Sequence, residues 1–362
     1  MKDNVIKRAE MLAASLKQHG ADAFVVLNDE DSNWESLYYL SGFRGTAGAL
    51  AVFADGSSEM ILDGRYIEQG REQSPHKIFP LDQRLVHDIS ERLNVHGAKK
   101  ILCEADKTSH RTWESLAAPT LDVEDGTALI KYLRRTKAPL EVDCIIKAAD
   151  IAAEAFLGAI DNFRIGMTEK EFEAFLNYKI NLLGGESGFD MVVASGVRSA
   201  MPHGRASEKE IKKGEWVTVD FSARYQGYFC DITRNFSVGE PDERALFLHD
   251  VLQKAHRAGA DNIKAGKSGT EIHNASLKVL ERYGVGDKMT HSLGHGFGLE
   301  IHEAPYLSPR RDDTLQLGDI VTIEPGVYFE GWGGLRLEDD YLVTDNGSKR
   351  LTDRLNQCFY RI

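Results

Sequence analysis

The sequence predicts an α/β domain over residues 1–130, followed by an α+β domain over residues 131–362 that is built from two related halves. Three observations lead to this prediction. The first 130 residues alternate between helical and strand patterns, the segment 126–142 ends that alternation with basic residues and Pro139, and the remainder repeats itself after about 100 residues. A length of 362 residues also corresponds to about two domains of ordinary size.

The N-terminal domain begins with an amphipathic helix, because Val5, Ala9, Leu12 and Leu16 recur at helical spacing. A further helical stretch is expected around 82–94. Apolar segments typical of buried strands lie at 23–27, 49–53, 59–62 and 100–103. Helices and strands in alternation favour a domain with a mainly parallel sheet.

The C-terminal domain opens with a long helix predicted over 142–163 and then contains an internal repeat. Residues 163–171 (FRIGMTEKE) resemble 263–271 (IKAGKSGTE), since each has a glycine, a Ser or Thr helix cap and a Glu before an apolar helix. A second pair follows in the same order, with GEWVTVD at 214–220 and GDIVTIE at 318–324. Two such units predict halves related by a pseudo-twofold axis, and we expect a site where they meet.

Composition argues against two classes of partner. The chain has 44 Lys and Arg against 56 Asp and Glu, for a net charge of −12, so neither nucleic acid nor an anionic membrane is expected as a partner. No apolar run approaches the ~20 residues that span a bilayer, and the N-terminus lacks the pattern of a secretory signal. Cys103, Cys144, Cys230 and Cys358 form no CxxC pair, which favours a cytoplasmic protein without disulfides.

Each repeated strand ends in an acidic residue and leads into a turn and a second acidic strand. Asp231 follows Asp220 by eleven residues. A tight hairpin at Gly227 would place the two acids on neighbouring strands, within one or two residues of being directly opposite each other. Glu338 follows Glu324 by fourteen residues, across a glycine-rich turn. Each half is therefore predicted to offer a hairpin with one carboxylate on each arm.

Four converging carboxylates in buried strands would be costly unless cations neutralise them, because unit charges 4 Å apart repel by ~4 kcal/mol at an effective dielectric of 20. Divalent metal ions would neutralise these charges, and a set of oxygen ligands with one imidazole suits Mn, Co, Fe or Zn. Bridging carboxylates would hold two ions ~3.5–4 Å apart. His291, His295 and His302 lie in the glycine-rich segment 291–305, and His203 precedes the first acidic strand.

Taken singly, these residues have ordinary interpretations. An Asp in a strand is more often a surface or turn residue than a ligand, a lone His is usually structural, and Glu338 could form a simple salt bridge with Arg336. The segment GHGFG lacks the strand and helix of a phosphate-binding loop. The joint occurrence of two acidic hairpins and a histidine cluster is the specific signal.

At these residues the chain resembles the pita-bread metallopeptidases (family M24), which include methionine aminopeptidase, aminopeptidase P and prolidase. The likeness is close over 135–362, and LYYLSGFRGTAG at 37–48 resembles the creatinase-like N-terminal domain of the proline-specific branch. The resemblance implies a pita-bread fold and five metal ligands. By motif these fall on Asp220 in VTVDF, Asp231 in CDITR, His295 in SLGHGFG, Glu324 in TIEPG and Glu338 in LRLED. Asp231 and Glu338 are expected to bridge two ions, with Asp220 on the first and His295 and Glu324 on the second.

The resemblance also implies roles for residues around the metals. His203 in MPHG matches a histidine on the substrate side, and His302 in GLEIHE matches one that contacts the reacting carbonyl. His291 matches a histidine that lines the pocket, and Arg336 matches an arginine that supports the site. Glu324 is expected to pass a proton to the leaving nitrogen.

The first functional hypothesis is a proline-specific exopeptidase that releases the N-terminal residue from Xaa-Pro peptides, with two divalent ions, manganese first and cobalt, zinc or iron as alternatives. Aminopeptidase P, acting on longer peptides, is preferred slightly over prolidase, acting on dipeptides, although the motifs do not separate the two. The N-terminal domain argues against methionine aminopeptidase, and the retained ligands argue against a creatinase-like hydrolase or a non-catalytic binding module. The resemblance further implies a homodimer.

Overall fold

The computed structural model describes residues 2–117 and 121–362. The chain divides into two compact units, one that ends at Arg134 and one that begins at Arg135. Among the described residues, no helix combines the length and the apolar character that crossing a bilayer requires.

The first unit contains helices and a sheet whose described strands are parallel except for one, in agreement with the mainly parallel sheet that the alternating pattern predicts. Its described helices are α1 Lys2–His19, α2 Trp34–Ser41, α3 Ile67–Gln73, α4 Leu85–Val95, α5 His110–Ala117 and α6 Thr127–Arg135. Its described strands are β1 Ala23–Asn28, β2 Gly48–Phe53, β3 Ser58–Leu62, β4 Lys77–Pro80, β5 Lys100–Cys103 and β6 Asp122–Asp125. The strand order is β4-β3-β2-β1-β5-β6, and only β2 runs against its neighbours among these strands.

The core of this sheet consists of the apolar residues that alternate along the strands. Val25, Ala51 and Ile101 point to one face and pack with Ile89 of α4 and Leu116 of α5. The predicted strands and the helix near 82–94 are thus confirmed. The patterns missed β4 and β6, because both are short edge strands with few buried residues.

The second unit holds the predicted repeat. Its helices, within the described chain, are α7 Pro139–Asp161, α8 Glu169–Leu182, α9 Glu243–Ala260 and α10 Gly269–Arg282. The strands of its first half are β7 Glu186–Ser187, β8 Val192–Ser195, β9 Trp216–Phe221, β10 Ala223–Tyr225, β11 Tyr228–Phe229 and β12 Ile232–Ser237. Those that follow are β13 Gly294–Gly296, β14 Glu303–Ser308, β15 Arg311–Asp312, β16 Ile320–Ile323, β17 Gly326–Phe329, β18 Gly333–Arg336, β19 Asp339–Thr344, β20 Gly347–Arg350 and β21 Tyr360–Arg361.

Two larger sheets organise these strands, in the orders β21-β12-β9-β8 and β15-β14-β13-β16-β19-β20. Two small ribbons, β11-β10-β7 and β17-β18, extend from them. Helices α8 and α10 begin at the predicted caps, where the Thr168 and Ser268 hydroxyls accept hydrogen bonds from first-turn amides.

Backbone hydrogen bonds repeat in the two halves at the offsets seen in the sequence. The Gly166 amide donates to the Ile211 carbonyl, and the Gly266 amide donates to the Leu315 carbonyl. The donors are 100 residues apart and the acceptors 104, which are the offsets of the two sequence pairs. The repeat is therefore structural, and it places β9 and β16, with their terminal acids, in equivalent positions.

Candidate metal centre

The first acidic hairpin forms as predicted. β9 and β12 pair antiparallel so that Asp220 lies opposite Thr233, and Asp231 lies two residues before Thr233 on the same arm. The turn between the arms falls at Gln226 and Gly227, with φ values of 49° and 82°. This left-handed pair allows the tight reversal that brings the two aspartates onto adjacent strands.

The second hairpin forms as well, and it meets the first. Gly326 of β17 pairs with Arg336 of β18, so Glu324 and Glu338 flank the open end of the ribbon. The Glu338 amide donates to the Thr233 carbonyl at 3.3 Å, and the Thr233 hydroxyl donates to the Glu338 carboxylate at 2.6 Å. Thr233 therefore connects the acidic arms of both halves.

The glycine-rich segment brings a histidine against these acids. A Cβ atom on Gly294 would lie 2.1 Å from the Thr322 carbonyl oxygen, so only glycine permits this close approach of β13 to β16. His295 follows, and its Nε2 lies 3.7 Å from a carboxylate oxygen of Asp231 and 3.5 Å from one of Glu324.

These side chains have the composition of a cation site. Ligand atoms of Asp231, His295 and Glu338 all lie within 4.8 Å of one another. The Oδ1 atom of Asp220 is buried and accepts no hydrogen bond from any described residue. Four carboxylates and one imidazole, with an unsatisfied oxygen among them, fit a hard or borderline divalent cation.

The electrostatics of the site without metal favour protons on the acids. Burial and the nearby carboxylate of Asp220 raise the pKa of Glu338 to about 8. Burial and the charge of Glu338 raise the pKa of Asp231 well above its usual value. Burial, helped by His302, lowers the pKa of His295 to about 3, which leaves its imidazole neutral and able to coordinate metal. A divalent cation would replace protons that these acids otherwise retain.

Arg336 supplies a permanent positive charge beside the cluster. Its guanidinium is buried and donates to Asp220 at 2.6 Å, to the Thr233 hydroxyl at 3.1 Å and to the Tyr328 hydroxyl at 2.8 Å. The Arg336 guanidinium lies 4.0 Å from the Glu338 carboxylate and 2.6 Å from that of Asp220. The simple Arg336–Glu338 salt bridge considered from the sequence is therefore weaker than the Arg336–Asp220 contact.

Besides Thr233, two residues that contact the cluster were missed from the sequence. Tyr328 accepts from Arg336 and contacts His291 Nε2 at 3.0 Å, and burial raises its pKa to about 12. The Asp340 carboxylate accepts the Asp231 amide at 3.0 Å. Side chains two residues apart in a strand point to the same face, so Tyr328 shares a face with Gly326, and Asp340 shares one with Glu338. This alternation alone did not distinguish the two residues from ordinary core residues.

All nine candidate residues line one cavity of about 700 Å³ in the second unit. They are Asp220, Asp231, His295, Glu324, Glu338, His203, His291, His302 and Arg336. The His302 and His295 rings lie 4.4 Å apart, between centroids. Apolar side chains of Phe189, Val192 and Ile301 line the same cavity. The arrangement can hold cations at one end and a small apolar group close by.

Comparisons with known proteins agree with this geometry. Residues 143–345 match the model of metallopeptidase family M24, and residues 8–136 match the creatinase/prolidase N-terminal domain. A protein named Xaa-Pro dipeptidase from Pyrococcus furiosus is 41% identical over 319 residues, which cover 88% of this chain and 90% of that protein.

Solved structures are similar over nearly the whole length. An Xaa-Pro dipeptidase from Bacillus anthracis superposes with a TM-score of 0.93 at 34% identity, covering 99% of this chain and 100% of that one. An X-Pro aminopeptidase from Thermotoga maritima superposes with a TM-score of 0.91 at 32% identity, and the match covers 95% of this chain and 98% of that one. These matches confirm the predicted two-domain fold class.

Proposed function

The chain belongs to metallopeptidase family M24 and is a metallo-exopeptidase, and we propose that it releases the N-terminal residue from peptides with proline at the second position. The observation that carries this proposal is the convergence of Asp231, His295 and Glu338 within 4.8 Å at the end of a partly apolar cavity. Names of relatives support the proline preference, since dipeptidases and aminopeptidases specific for Xaa-Pro bonds both match along most of the chain.

Asp220, Asp231, His295, Glu324 and Glu338 would hold two divalent ions, with Asp231 and Glu338 shared between them. When bound, such ions activate water and polarise a carbonyl group at neutral pH. Manganese is proposed first, because an oxygen-rich ligand set suits it, with cobalt, zinc and iron as alternatives.

Three residues act around that chemistry. Burial and the nearby His203 lower the pKa of His302, so its ring stays neutral at pH 7 and can donate a hydrogen bond to the carbonyl oxygen of the substrate. The Glu324 carboxylate would accept a proton from the attacking water and deliver it to the leaving proline nitrogen. Arg336 holds Asp220 in place through the contact at 2.6 Å and orients the acids around it.

The charges of the cavity support action on longer peptides over dipeptides. A dipeptide places its free C-terminal carboxylate beside the proline, so a dedicated dipeptidase needs a cation to meet it. Among the described lining residues, the buried Arg336 already pairs with Asp220 at 2.6 Å, and Arg205 forms an exposed pair with Asp190 at 2.8 Å, so no buried arginine is left for such a carboxylate. Aminopeptidase activity is therefore the first proposal.

Dipeptidase activity is the second candidate, favoured by the names of the relatives from Pyrococcus furiosus and Bacillus anthracis. Release of alanine from Ala-Pro, Ala-Pro amide and Ala-Pro-Ala distinguishes the two. The first proposal expects kcat/KM to be higher for Ala-Pro-Ala and for the amide than for Ala-Pro. A preference for the free dipeptide of tenfold or more would establish the second candidate instead, and no release from any of the three would contradict both.

A homodimer is also proposed, on the family resemblance alone. Light scattering coupled to size-exclusion chromatography tests it, with a mass near twice 40.3 kDa expected and a mass near 40.3 kDa contradicting it.

A further inference from the structure

A second cavity, of about 650 Å³, lies within the first unit. Strands β1, β3, β4 and β5 run in the same direction, and the segments that follow each of them line this cavity. In sheets of this type, the crevice outside the carboxyl ends of parallel strands is the usual place for a ligand. The volume falls in the range of small-molecule sites, about 300–1,000 Å³, and exceeds what a single inorganic ion needs.

One helix presents unsatisfied donors to this cavity. Arg84 is the N-cap of α4 and provides no side-chain cap, and the Leu85 and Val86 amides donate to no residue that the structure describes. Two residues of that turn, Leu85 and Val86, line the cavity. The Asp88 carboxylate of the same turn accepts from the Asp82 and Gln83 amides, so the Leu85 and Val86 N–H groups at the positive end of the α4 dipole are left to an anion.

The side chains around the cavity add free positive charge. Four cations and two carboxylates line it, although the whole chain carries a net charge of −12. Arg65 is held by Asp63 at 2.7 Å. By contrast, Arg84 and Arg111 form no ion pair with any residue that the structure describes, and both are exposed. Two guanidinium groups are thus available beside the uncapped helix.

The rest of the lining suits the organic part of a ligand. Leu27 and Leu81 offer an apolar surface, Thr108 and Ser109 offer hydroxyl groups, and Asp29 can accept hydrogen bonds. A bare anion would leave these groups unused, whereas a hydroxylated molecule that carries a phosphate would use them together.

We propose that this cavity binds a phosphorylated small molecule with a hydroxylated organic part. The phosphate lies between Arg84, Arg111 and the first-turn amides of α4, and the organic part lies against Leu27 and Leu81. Arginine and helix N-termini are the groups that recognise phosphate most directly. The site is separate from the metal centre, whose lining residues all belong to the second unit.

Isothermal titration of the full-length, metal-loaded enzyme tests the proposal at low ionic strength. The probes are AMP, glucose 6-phosphate and inorganic phosphate, with adenosine and glucose as uncharged controls. The variants are the double substitution Arg84→Ala/Arg111→Ala and the matched control Arg71→Ala, an exposed arginine outside the cavity.

At least one phosphate ester is expected to bind with a Kd below about 1 mM, and the double variant should weaken it tenfold or more. Arg71→Ala should leave the Kd unchanged, the uncharged controls should not bind, and peptidase kcat should be the same in all three proteins. Amide NMR signals of Leu85 and Val86 should shift on addition of that ester. Failure of both esters to bind, an unchanged Kd in the double variant, or inorganic phosphate binding as tightly as the esters would overturn the proposal.

Discussion

Removing divalent metal is expected to make the stability of this enzyme fall as the pH rises from 7 to 8.5. The reason lies in Glu338, whose pKa is raised from 4.5 to about 8 by burial and by Asp220. A carboxyl group with a raised folded pKa binds more protons in the folded than in the unfolded state, between the two pKa values. Its stabilising contribution is complete below pH 4.5 and is lost as the pH rises through 8.

The magnitude follows from linkage. One pKa unit corresponds to about 1.4 kcal/mol, so titration of Glu338 between pH 7 and 8.5 lowers the free energy of unfolding by about 1 kcal/mol. Asp231 and Glu324, whose pKa values are also raised by burial and by Glu338, change stability in the same direction. In a domain of this size, each kcal/mol lowers Tm by roughly 2–4 °C.

The assay is thermal unfolding followed by circular dichroism, on enzyme dialysed against a chelator and on enzyme reloaded with Mn²⁺. The two histidines closest to the acids do not titrate in this pH window, because burial lowers the pKa of His291 to about 4 and of His295 to about 3. The Tm of metal-loaded enzyme should not fall between pH 7 and 8.5, because bound cations replace the protons on the acidic side chains. Glu338→Gln is the control and should show a smaller decline without metal. An identical Tm at pH 7 and 8.5 in the metal-free wild type, or an unchanged decline in Glu338→Gln, would refute the reasoning.

Three substitutions test individual roles. Asp231→Ala should abolish metal binding and turnover together, because a shared ligand serves both ions; elemental analysis showing full metal content would disprove the assignment. His302→Ala should keep its metal but lower kcat by about 10²–10³-fold, the scale of losing one oxyanion donor, and metal loss would contradict its role outside the ligand set. Tyr328→Phe removes the hydroxyl that joins Arg336 to His291, so kcat should fall by about fivefold at constant metal content, the equivalent of one hydrogen bond of ~1 kcal/mol. Turnover equal to wild type in this variant would show that the hydroxyl has no part in the site.

The sequence allowed much of this architecture to be predicted, because its strongest signals are periodic and repeated. The paired motifs near Thr168 and Ser268 mark helix starts whose caps form as expected. Hairpins could be predicted because a glycine lies between each pair of acids, and the structure places those glycines in left-handed conformations at Gly227 and Gly331.

Other features were beyond prediction because they depend on contacts between distant segments. Thr233 links the two halves through hydrogen bonds to Glu338, 105 residues away, and no local pattern distinguishes this threonine from the other polar residues of β12. Tyr328 and Asp340 were missed for the same reason. The short strand β4 lies at a sheet edge with little burial, so it has no amphipathic pattern to detect. Whether the five candidate ligands bind metal stays a prediction.

The most direct measurement is anomalous X-ray diffraction from crystals of the enzyme loaded with Mn²⁺. Two anomalous peaks are predicted within coordination distance of Asp231 and Glu338, with Asp220 at one peak and His295 and Glu324 at the other. Peaks absent from these side chains, or present only elsewhere on the molecule, would contradict the proposal that the two acidic hairpins form one metal centre.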